Sequence, residues 1–166
     1  IPTHLASLVP FLRVSGWTVN VLSLKYRNGP PEDVAGATIH GPMARGRTEK
    51  VQLLARNAGY LLREARLLRL APWEAYRATE LLSQARAIHL RQPIDVIAAY
   101  HILPAGLAGS WIGAALDVPL ITTVFGEFHA DARLSGPLAP LARRVLERSA
   151  QVLSCSDHCA ASVRLS

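Results

Sequence analysis

The stretch PLITTVFGEFHADA, residues 119–132, joins an apolar, β-branched run to a cluster of ionisable side chains. The run stops at Gly126, and Glu127, His129 and Asp131 follow almost immediately. Short apolar runs rich in β-branched residues are typical of buried strands. The stretch therefore predicts a buried strand that ends directly at a group of side chains capable of chemistry.

The same strand-then-helix unit recurs through the second half of the chain. Strands are predicted at 94–100, 119–125 and 150–156, and helices at 104–117, 137–149 and 157–165, the last one capped by Ser156 or Asp157. Upstream, a helix is predicted at 3–14, strands at 17–24 and 37–41, a turn-rich segment at 27–36, and helices at 48–71 and 73–91. Apolar strands that alternate with helices predict an α/β fold, a Rossmann-like parallel sheet with helices on both faces. We expect the strands 17–24, 94–100, 119–125 and 150–156 to share that sheet.

The predicted helix 48–71 carries two apolar stripes. The stripe assigned to the core consists of Val51, Leu54, Ala58, Leu61, Leu62, Ala65 and Leu68. The opposite stripe consists of Leu53, Tyr60 and Leu67, flanked by Arg56, Arg63 and Arg66. An apolar stripe bordered by arginines suits an anionic membrane surface, and the alternative is that the next helix covers it. That next helix has Ala78, Leu81, Leu82, Ala85 and Ile88 at inward positions.

Composition limits the classes of protein. The 166 residues are 50% hydrophobic and 18% charged, enough for one sizeable core, so we expect one domain over residues 1–166. The net charge of +6 lies entirely in residues 45–91, which hold ten Arg or Lys and four Glu. This basic segment predicts an anionic partner, a membrane surface rather than nucleic acid, because no nucleic-acid motif is present.

The same features bear on the compartment. No apolar run reaches the roughly 18 residues that cross a bilayer, and the first residues lack the basic start of a signal peptide. Cys155 and Cys159 are too close in sequence for an ordinary framework disulfide. We expect a cytoplasmic protein, peripheral at the inner face of the membrane.

Histidines follow the ends of three predicted strands. His101 stands at the end of the strand 94–100, His129 follows the strand 119–125, and His158 follows the strand 150–156. Ligands of open parallel sheets bind beyond the carboxyl ends of the strands. His101 and Glu127 are therefore the first candidates for a site, and His129 and Asp131 are weaker ones. For each of them the alternative is an ordinary polar loop residue.

Metal and phosphate-loop chemistry find little support. Cys155, His158 and Cys159 resemble metal ligands in type, but a fourth ligand is missing, and two small buried thiols are the preferred interpretation. The glycines of AGLAGSWIG match neither GxGxxG nor a GK[ST] loop. They are expected to let a helix lie close to the sheet. We predict no metal and no cofactor.

Several segments, in order, resemble one known family. PAGLAG, DVPLITT and LERSAQVLSCS, together with HLASLVPFLRVSGWTVNVLSL near the start, are similar to the N-terminal domain of group 1, or family 4, glycosyltransferases. The resemblance covers most of the chain except about 27–90.

That resemblance implies a B-type glycosyltransferase fold of two Rossmann-like domains facing a cleft. The N-terminal domain binds the sugar, lipid-linked or small-molecule acceptor, and the C-terminal domain binds the nucleotide-sugar donor. Many members need no metal. The expected substrate-binding residues are His101, Pro104, Ala105, Gly106 and Gly126, and the expected catalytic residues are Glu127 and His129.

Three features depart from the family pattern. The sequence starts inside the first helix of the pattern, so the first strand is missing, and we expect a piece of a longer polypeptide or a substitute strand. No donor domain follows, so the chain alone should be inactive. Phe125 occupies the position of the family histidine, which leaves Glu127 and His129 as the nearest polar residues. The alternative function is a non-catalytic Rossmann-like module that senses a nucleotide or another small ligand.

Overall fold

Eight helices and six strands lie in the part of the chain that the computed structural model describes, residues 3–23, 30–42, 46–63 and 69–164. The chain divides into two compact units, 1–50 and 51–166. The first holds α1 (Thr3–Val14), β1 (Val19–Leu22), β2 (Glu32–Val34) and β3 (Ala37–His40). Helix α2 (Arg47–Arg56) spans the division. The second holds α3 (Ala58–Arg63), α4 (Pro72–His89), β4 (Ile97–Tyr100), α5 (Leu107–Leu116), β5 (Leu120–Val124), α6 (Glu127–Ala130), α7 (Ala139–Arg148), β6 (Gln151–Ser154) and α8 (Asp157–Arg164).

The stretch 119–125 forms the central strand of a parallel sheet. Strand β5 pairs with β4, with Ile97 opposite Leu120, and with β6, with Ile121 opposite Gln151. Helices α5 and α7 provide the crossovers between these parallel neighbours. The predicted α/β class with a Rossmann-like parallel sheet is confirmed.

The prediction that strand 17–24 joins this sheet is wrong. Strand β1 pairs in parallel with β3, in a separate sheet of order β1-β3-β2. The segment 27–36, predicted to be turn-rich, contains the short strand β2, which forms an antiparallel hairpin with β3. Ala35 and Gly36 make its two-residue turn, both at positive φ (54 and 85), and Asp33 accepts a hydrogen bond from the Gly36 N–H. This local hairpin gives β1 a partner that the strand-helix alternation did not predict.

The predicted helix 48–71 is interrupted, and the core stripe assigned to it is correct only in part, since Leu61 is buried as predicted. Asn57 separates α2 from α3, and its side chain, 1% exposed, donates to the Leu53 carbonyl and to the Ser83 hydroxyl. Leu53 is buried, whereas Val51 and Leu62, both assigned to the core, are 65% and 73% exposed. The break changes the helical phase, so one continuous stripe cannot describe both helices. Leu67, Ala65 and Leu68 lie outside the described residues.

The core of the second unit lies around α4 and α5. All five predicted inward residues of α4, from Ala78 to Ile88, are buried. Trp111 of α5 is 1% exposed. A Cβ on Gly109 would lie 2.7 Å from Leu120 Cδ1, so a larger residue would require the Leu120 side chain or α5 to shift. The predicted packing role of these small residues is confirmed.

Candidate functional site

A cavity of about 240 Å³ lies where β4 and β5 end. Its described lining is rich in ionisable side chains and consists of Glu74, Arg77, His101, Leu103, Pro104, Glu127, Asp131, Arg133 and Leu134. Ligands of parallel sheets bind at this end of the strands. The structure thus brings His101 and Glu127, predicted from separate loops, to one cavity.

Glu127 ties the ends of the two strands together. Its Oε1 accepts a hydrogen bond from the Ile102 N–H (3.0 Å), and its Oε2 accepts one from the Phe125 N–H (2.6 Å). The side chain is 13% exposed. Both bonds are charge-assisted, which makes them stronger than neutral hydrogen bonds. The carboxylate therefore fixes the position of two backbone segments that border the cavity.

His101 presents its ring to the same cavity. Its Nδ1 lies 3.5 Å from Glu127 Oε1, and its side chain is 56% exposed. The ring also packs against Phe125, with 5.0 Å between centroids. The residue has a positive φ of 77, which is uncommon for a non-glycine residue. Its N–H donates to the Thr123 carbonyl, and its carbonyl accepts from the Gly106 N–H. These backbone bonds hold the imidazole at the cavity.

Not all of the predicted substrate-binding residues line the cavity. Pro104 does, whereas Gly106 is buried, and a Cβ there would lie 2.9 Å from both the His101 carbonyl oxygen and Val145 Cγ1. Ala105 is partly buried next to it. Gly126 has a positive φ of 96 at the turn into α6. The close contacts at Gly106 and the positive φ of Gly126 each explain why glycine stands there.

Ion pairs build another part of the cavity lining. Arg133 contacts Asp131 (2.8 Å) and Glu74 (3.2 Å) and so connects the segment after α6 with the first turn of α4. The hydrogen bond from Arg133 lowers the pKa of Asp131, and the same pair raises the pKa of Arg133. Arg77 lies over the Trp73 ring, 4.9 Å from its centroid. These cationic and anionic groups can bind hydroxyl, phosphate or carboxylate groups of a ligand.

His129 does not line the cavity with His101 and Glu127. It is exposed, and its ring stacks on that of His158, with 4.3 Å between centroids. Phe125, at the position of the family histidine, packs between Tyr100 and His101. Burial raises the pKa of the Tyr100 hydroxyl. The geometry therefore favours His101 and Glu127 over His129 for a role in the cavity.

Three ionisable lining residues were not predicted from the sequence. Glu74, Arg77 and Arg133 lie far from the strand-end motifs or just after the predicted cluster. Glu74 and Arg77 are about one helical turn apart in α4, which is the only local signal that they share a face. Nothing in the sequence indicates that α4 borders this cavity.

A larger cavity, about 400 Å³, lies near the starts of β5 and β6. Its lining includes residues 118–120 and 148–150, and its ionisable lining residues are Glu147 and Arg148. We assign the functional site to the smaller cavity because it lies at the carboxyl ends of the strands and collects more ionisable groups.

The two cysteines differ from the prediction of two buried thiols. Cys159 is buried, but Cys155 is exposed. The Cys159 N–H donates to the Ser156 hydroxyl, so Ser156, of the two predicted candidates, caps α8. Within the described residues, no cluster of three or more His, Cys, Asp or Glu side chains is arranged to hold a metal ion.

The basic segment exposes different apolar residues from those predicted. Leu53 is buried, and Tyr60 packs against Trp111, 5.7 Å between centroids, with the Arg86 guanidinium over its ring. Leu53 is therefore covered, and Tyr60 is partly covered by Trp111 of α5 and by Arg86 of the next helix, α4. Among the segment's described residues, the exposed large apolar side chains are Val51, Leu62, Leu70, Trp73 and Leu90. None of the described helices combines the length and the hydropathy needed to cross a membrane.

Two comparisons with known proteins bear on this site. A family model described as a glycosyl transferase 4-like domain matches residues 1–165, nearly the whole chain. A search of curated proteins found no match.

Proposed function

Because the chain belongs to the glycosyl transferase 4-like domain family, we propose that it binds the acceptor during transfer of a sugar from a nucleotide-sugar donor. One observation carries the proposal: His101 and Glu127 lie 3.5 Å apart on one cavity at the carboxyl ends of β4 and β5. This is the end of a parallel sheet at which ligands bind. The resemblance implies that a second Rossmann-like domain binds the donor.

His101 is the residue that contacts the acceptor. Its imidazole is more than half exposed, so a hydroxyl group in the cavity can reach a ring nitrogen. Hydrogen bonding to that nitrogen orients the hydroxyl, and a neutral imidazole can also take its proton as the new glycosidic bond forms. The proton then resides on a ring whose Nδ1 lies 3.5 Å from Glu127 Oε1.

Glu127 acts mainly as a positioning residue. Each carboxylate oxygen already accepts one backbone N–H, from Ile102 or from Phe125. These bonds hold the carboxylate still and aim it at His101. The direct catalytic role predicted for Glu127 and for His129 stays a prediction, and the cavity geometry supports it less than it supports a role for His101.

The remaining lining residues recognise polar groups of the acceptor. Arg77 and Arg133 offer planar donors, and Glu74 and Asp131 offer acceptor oxygens. Neighbouring donors and acceptors match the closely spaced hydroxyl groups of a sugar or a polyol. A sugar, free or lipid-linked, is therefore the acceptor class that fits best.

The experiment uses the full-length gene product. It is incubated with common nucleotide sugars and a panel of sugar, glycolipid and small-molecule acceptors, and release of the nucleoside diphosphate and a mass increase of the acceptor are recorded together. Acceptor-dependent release supports transfer. Saturable binding of a nucleotide or small ligand without any transfer would instead support the alternative function, a sensing module.

We also propose that the basic segment docks the protein on an anionic membrane from the cytoplasmic side. Arg56, Arg63 and Arg69 occur in the same segment as five exposed apolar side chains of the described residues, Val51, Leu62, Leu70, Trp73 and Leu90. Apolar groups insert at the interface, and each nearby arginine contributes about 1 kcal/mol on an anionic surface. Docking would bring the cavity to lipid-linked acceptors.

Vesicle co-sedimentation tests this docking. Vesicles with anionic lipid should retain the protein, neutral vesicles should not, and salt should weaken retention. The double substitution Leu62→Ser with Trp73→Ala should reduce retention severalfold. Val14→Ser serves as the control, because Val14 is 91% exposed but lies outside the basic segment. Equal retention on neutral vesicles, or an equal effect of the control, would refute the docking surface.

A further inference from the structure

Cys155 and Cys159 face each other across the N-cap of α8. Their sulfur atoms are 3.4 Å apart. Cys155 directly follows β6, and its N–H donates to the Val124 carbonyl of β5. Ser156 caps the helix by accepting from the Cys159 N–H. The sheet thus fixes one thiol and the helix cap fixes the other, and both fall at the same place.

The two thiols differ in their access to solvent. Cys155 is exposed, whereas Cys159 is 6% exposed. A Cβ built on Gly126 would lie 3.3 Å from the Cys159 sulfur, so that sulfur packs against the turn that leads into α6. A dissolved oxidant can reach Cys155 but not Cys159. The Cys155 sulfur, 3.4 Å away, is in contact with the Cys159 sulfur and can react with it.

We propose that Cys155 and Cys159 form a site of reversible thiol oxidation, in which Cys155 reacts first and Cys159 resolves the product. The oxidant is a low-molecular-weight disulfide. The Cys155 thiolate attacks one sulfur of that disulfide, a mixed disulfide forms, and one small thiol leaves. The Cys159 thiolate then attacks the Cys155 sulfur, the intramolecular disulfide forms, and the second small thiol leaves. The two cysteines lose two protons and two electrons, which is two hydrogen atoms in all, and the oxidant gains them as two thiols.

The geometry permits the final bond with a small movement. A disulfide needs its sulfur atoms about 2.05 Å apart, against 3.4 Å in the reduced pair. Cys159 is confined by the helix and by the Gly126 turn, so the exposed side chain of Cys155 makes the approach. The bond would join the end of β6 to the first turn of α8, next to the turn that carries Glu127.

The reaction should become faster as the pH rises. The attacking species is the thiolate, and the hydrogen bond with the Cys159 thiol raises the pKa of Cys155 above its ordinary value. The thiol form therefore predominates at neutral pH, and alkaline pH increases the reactive fraction.

Oxidised glutathione is the probe for the test. Peptide mapping by mass spectrometry assigns each mass change to Cys155 or Cys159, the two cysteines of this sequence. Intact mass spectrometry after incubation should show the wild-type protein lighter by two hydrogen atoms, with no thiol left to alkylate, and dithiothreitol should restore both thiols. Cys159→Ser should stop at the mixed disulfide and gain one glutathionyl group. Cys155→Ser should remain unmodified.

Other outcomes would overturn the proposal. Wild-type protein that keeps two free thiols, stops at the mixed disulfide, or links two chains does not contain this site. Modification of Cys155→Ser but not of Cys159→Ser would reverse the roles that the burial assigns. Because serine is nearly isosteric with cysteine, the variants keep the packing at α8, and the wild-type result decides the matter even without them.

Discussion

Replacing Glu127 by glutamine should destabilise the protein, because the carboxylate accepts two backbone hydrogen bonds at once. Oε1 accepts from Ile102 and Oε2 from Phe125. Glutamine keeps one acceptor oxygen but turns an NH₂ group toward the other backbone N–H. One charge-assisted bond is lost, one bond is weakened, and one buried donor faces another donor.

The size of this effect follows from the geometry. Losing a hydrogen bond to a charged group costs about 1.5–3 kcal/mol. Glu127 is 13% exposed, so water compensates for only part of this loss. For a domain of this size each kcal/mol lowers the melting temperature by about 2–4 °C. We therefore expect Glu127→Gln to melt about 3–12 °C below the wild-type protein.

Equilibrium unfolding in urea, followed by far-UV circular dichroism, measures the loss as a free energy. Glu147→Gln is the matched control, because Glu147 is 67% exposed and pairs only loosely with Arg143 at 3.6 Å. Its effect should stay within about 0.5 kcal/mol, as for ordinary surface substitutions. If Glu127→Gln proves as stable as the control, the carboxylate does not tie the strand ends together and the positioning role assigned to it falls.

Three further substitutions test other contacts. Gly106→Ala should destabilise the protein by about 1–3 kcal/mol, because its Cβ would lie 2.9 Å from the His101 carbonyl oxygen. Gly59→Ala is the control and should be neutral or stabilising, because a Cβ at Gly59 meets nothing within 4 Å. Equal melting temperatures of the two variants would contradict this prediction. Asn57→Ala should cost about 1–3 kcal/mol in urea unfolding, because it leaves partners of a buried amide unsatisfied, and an unchanged midpoint would refute the role of the break. The pKa of Asp131 is lowered in the folded state, so the ionised carboxylate stabilises the protein above pH 3.8, and this contribution is lost as the pH falls through the lower folded-state pKa. Asp131→Asn should therefore be less stable than wild type at neutral pH but equally stable in strong acid. A stability difference that does not change with pH would contradict the role of the pair with Arg133.

The regular part of the fold follows from local patterns. The apolar strands β4, β5 and β6 and the inward face of α4 have strong, short-range signals, and the structure keeps them within a few residues of the prediction. The hairpin β2-β3 was not predicted, because its turn, Ala35-Gly36, lacks the Asn-Gly or Asp-Gly sequence by which such turns are recognised.

The interruption at Asn57 was not predicted, for a different reason. Its cause is tertiary, since the Asn57 amide bonds to Ser83 of another helix. The apolar spacing alone predicts one helix that continues through residue 57, and a continuous helix assigns some residues to the wrong face. Periodicity could therefore predict that helix exists in this segment, but not which side of it faces water.

The candidate site shows the same division. The strand-end rule predicted His101 and Glu127 because it depends only on the direction of parallel strands. Glu74 and Arg77 reach the cavity through the packing of α4, which no local motif encodes. The double use of the Glu127 carboxylate as a backbone acceptor also needs coordinates, since Ile102 is 25 residues away in sequence.

The central claim is that His101, and not His129, serves an acceptor bound at the carboxyl end of the sheet. The most direct measurement is kcat/KM for sugar transfer by the full-length gene product carrying His101→Ala or His129→Ala, with circular dichroism to confirm folding. We expect His101→Ala to lower kcat/KM by about ten- to a thousandfold, as for lost positioning or acid–base help, and His129→Ala to leave it near the wild-type value. Normal activity of His101→Ala, or a larger loss with His129→Ala, would contradict the claim.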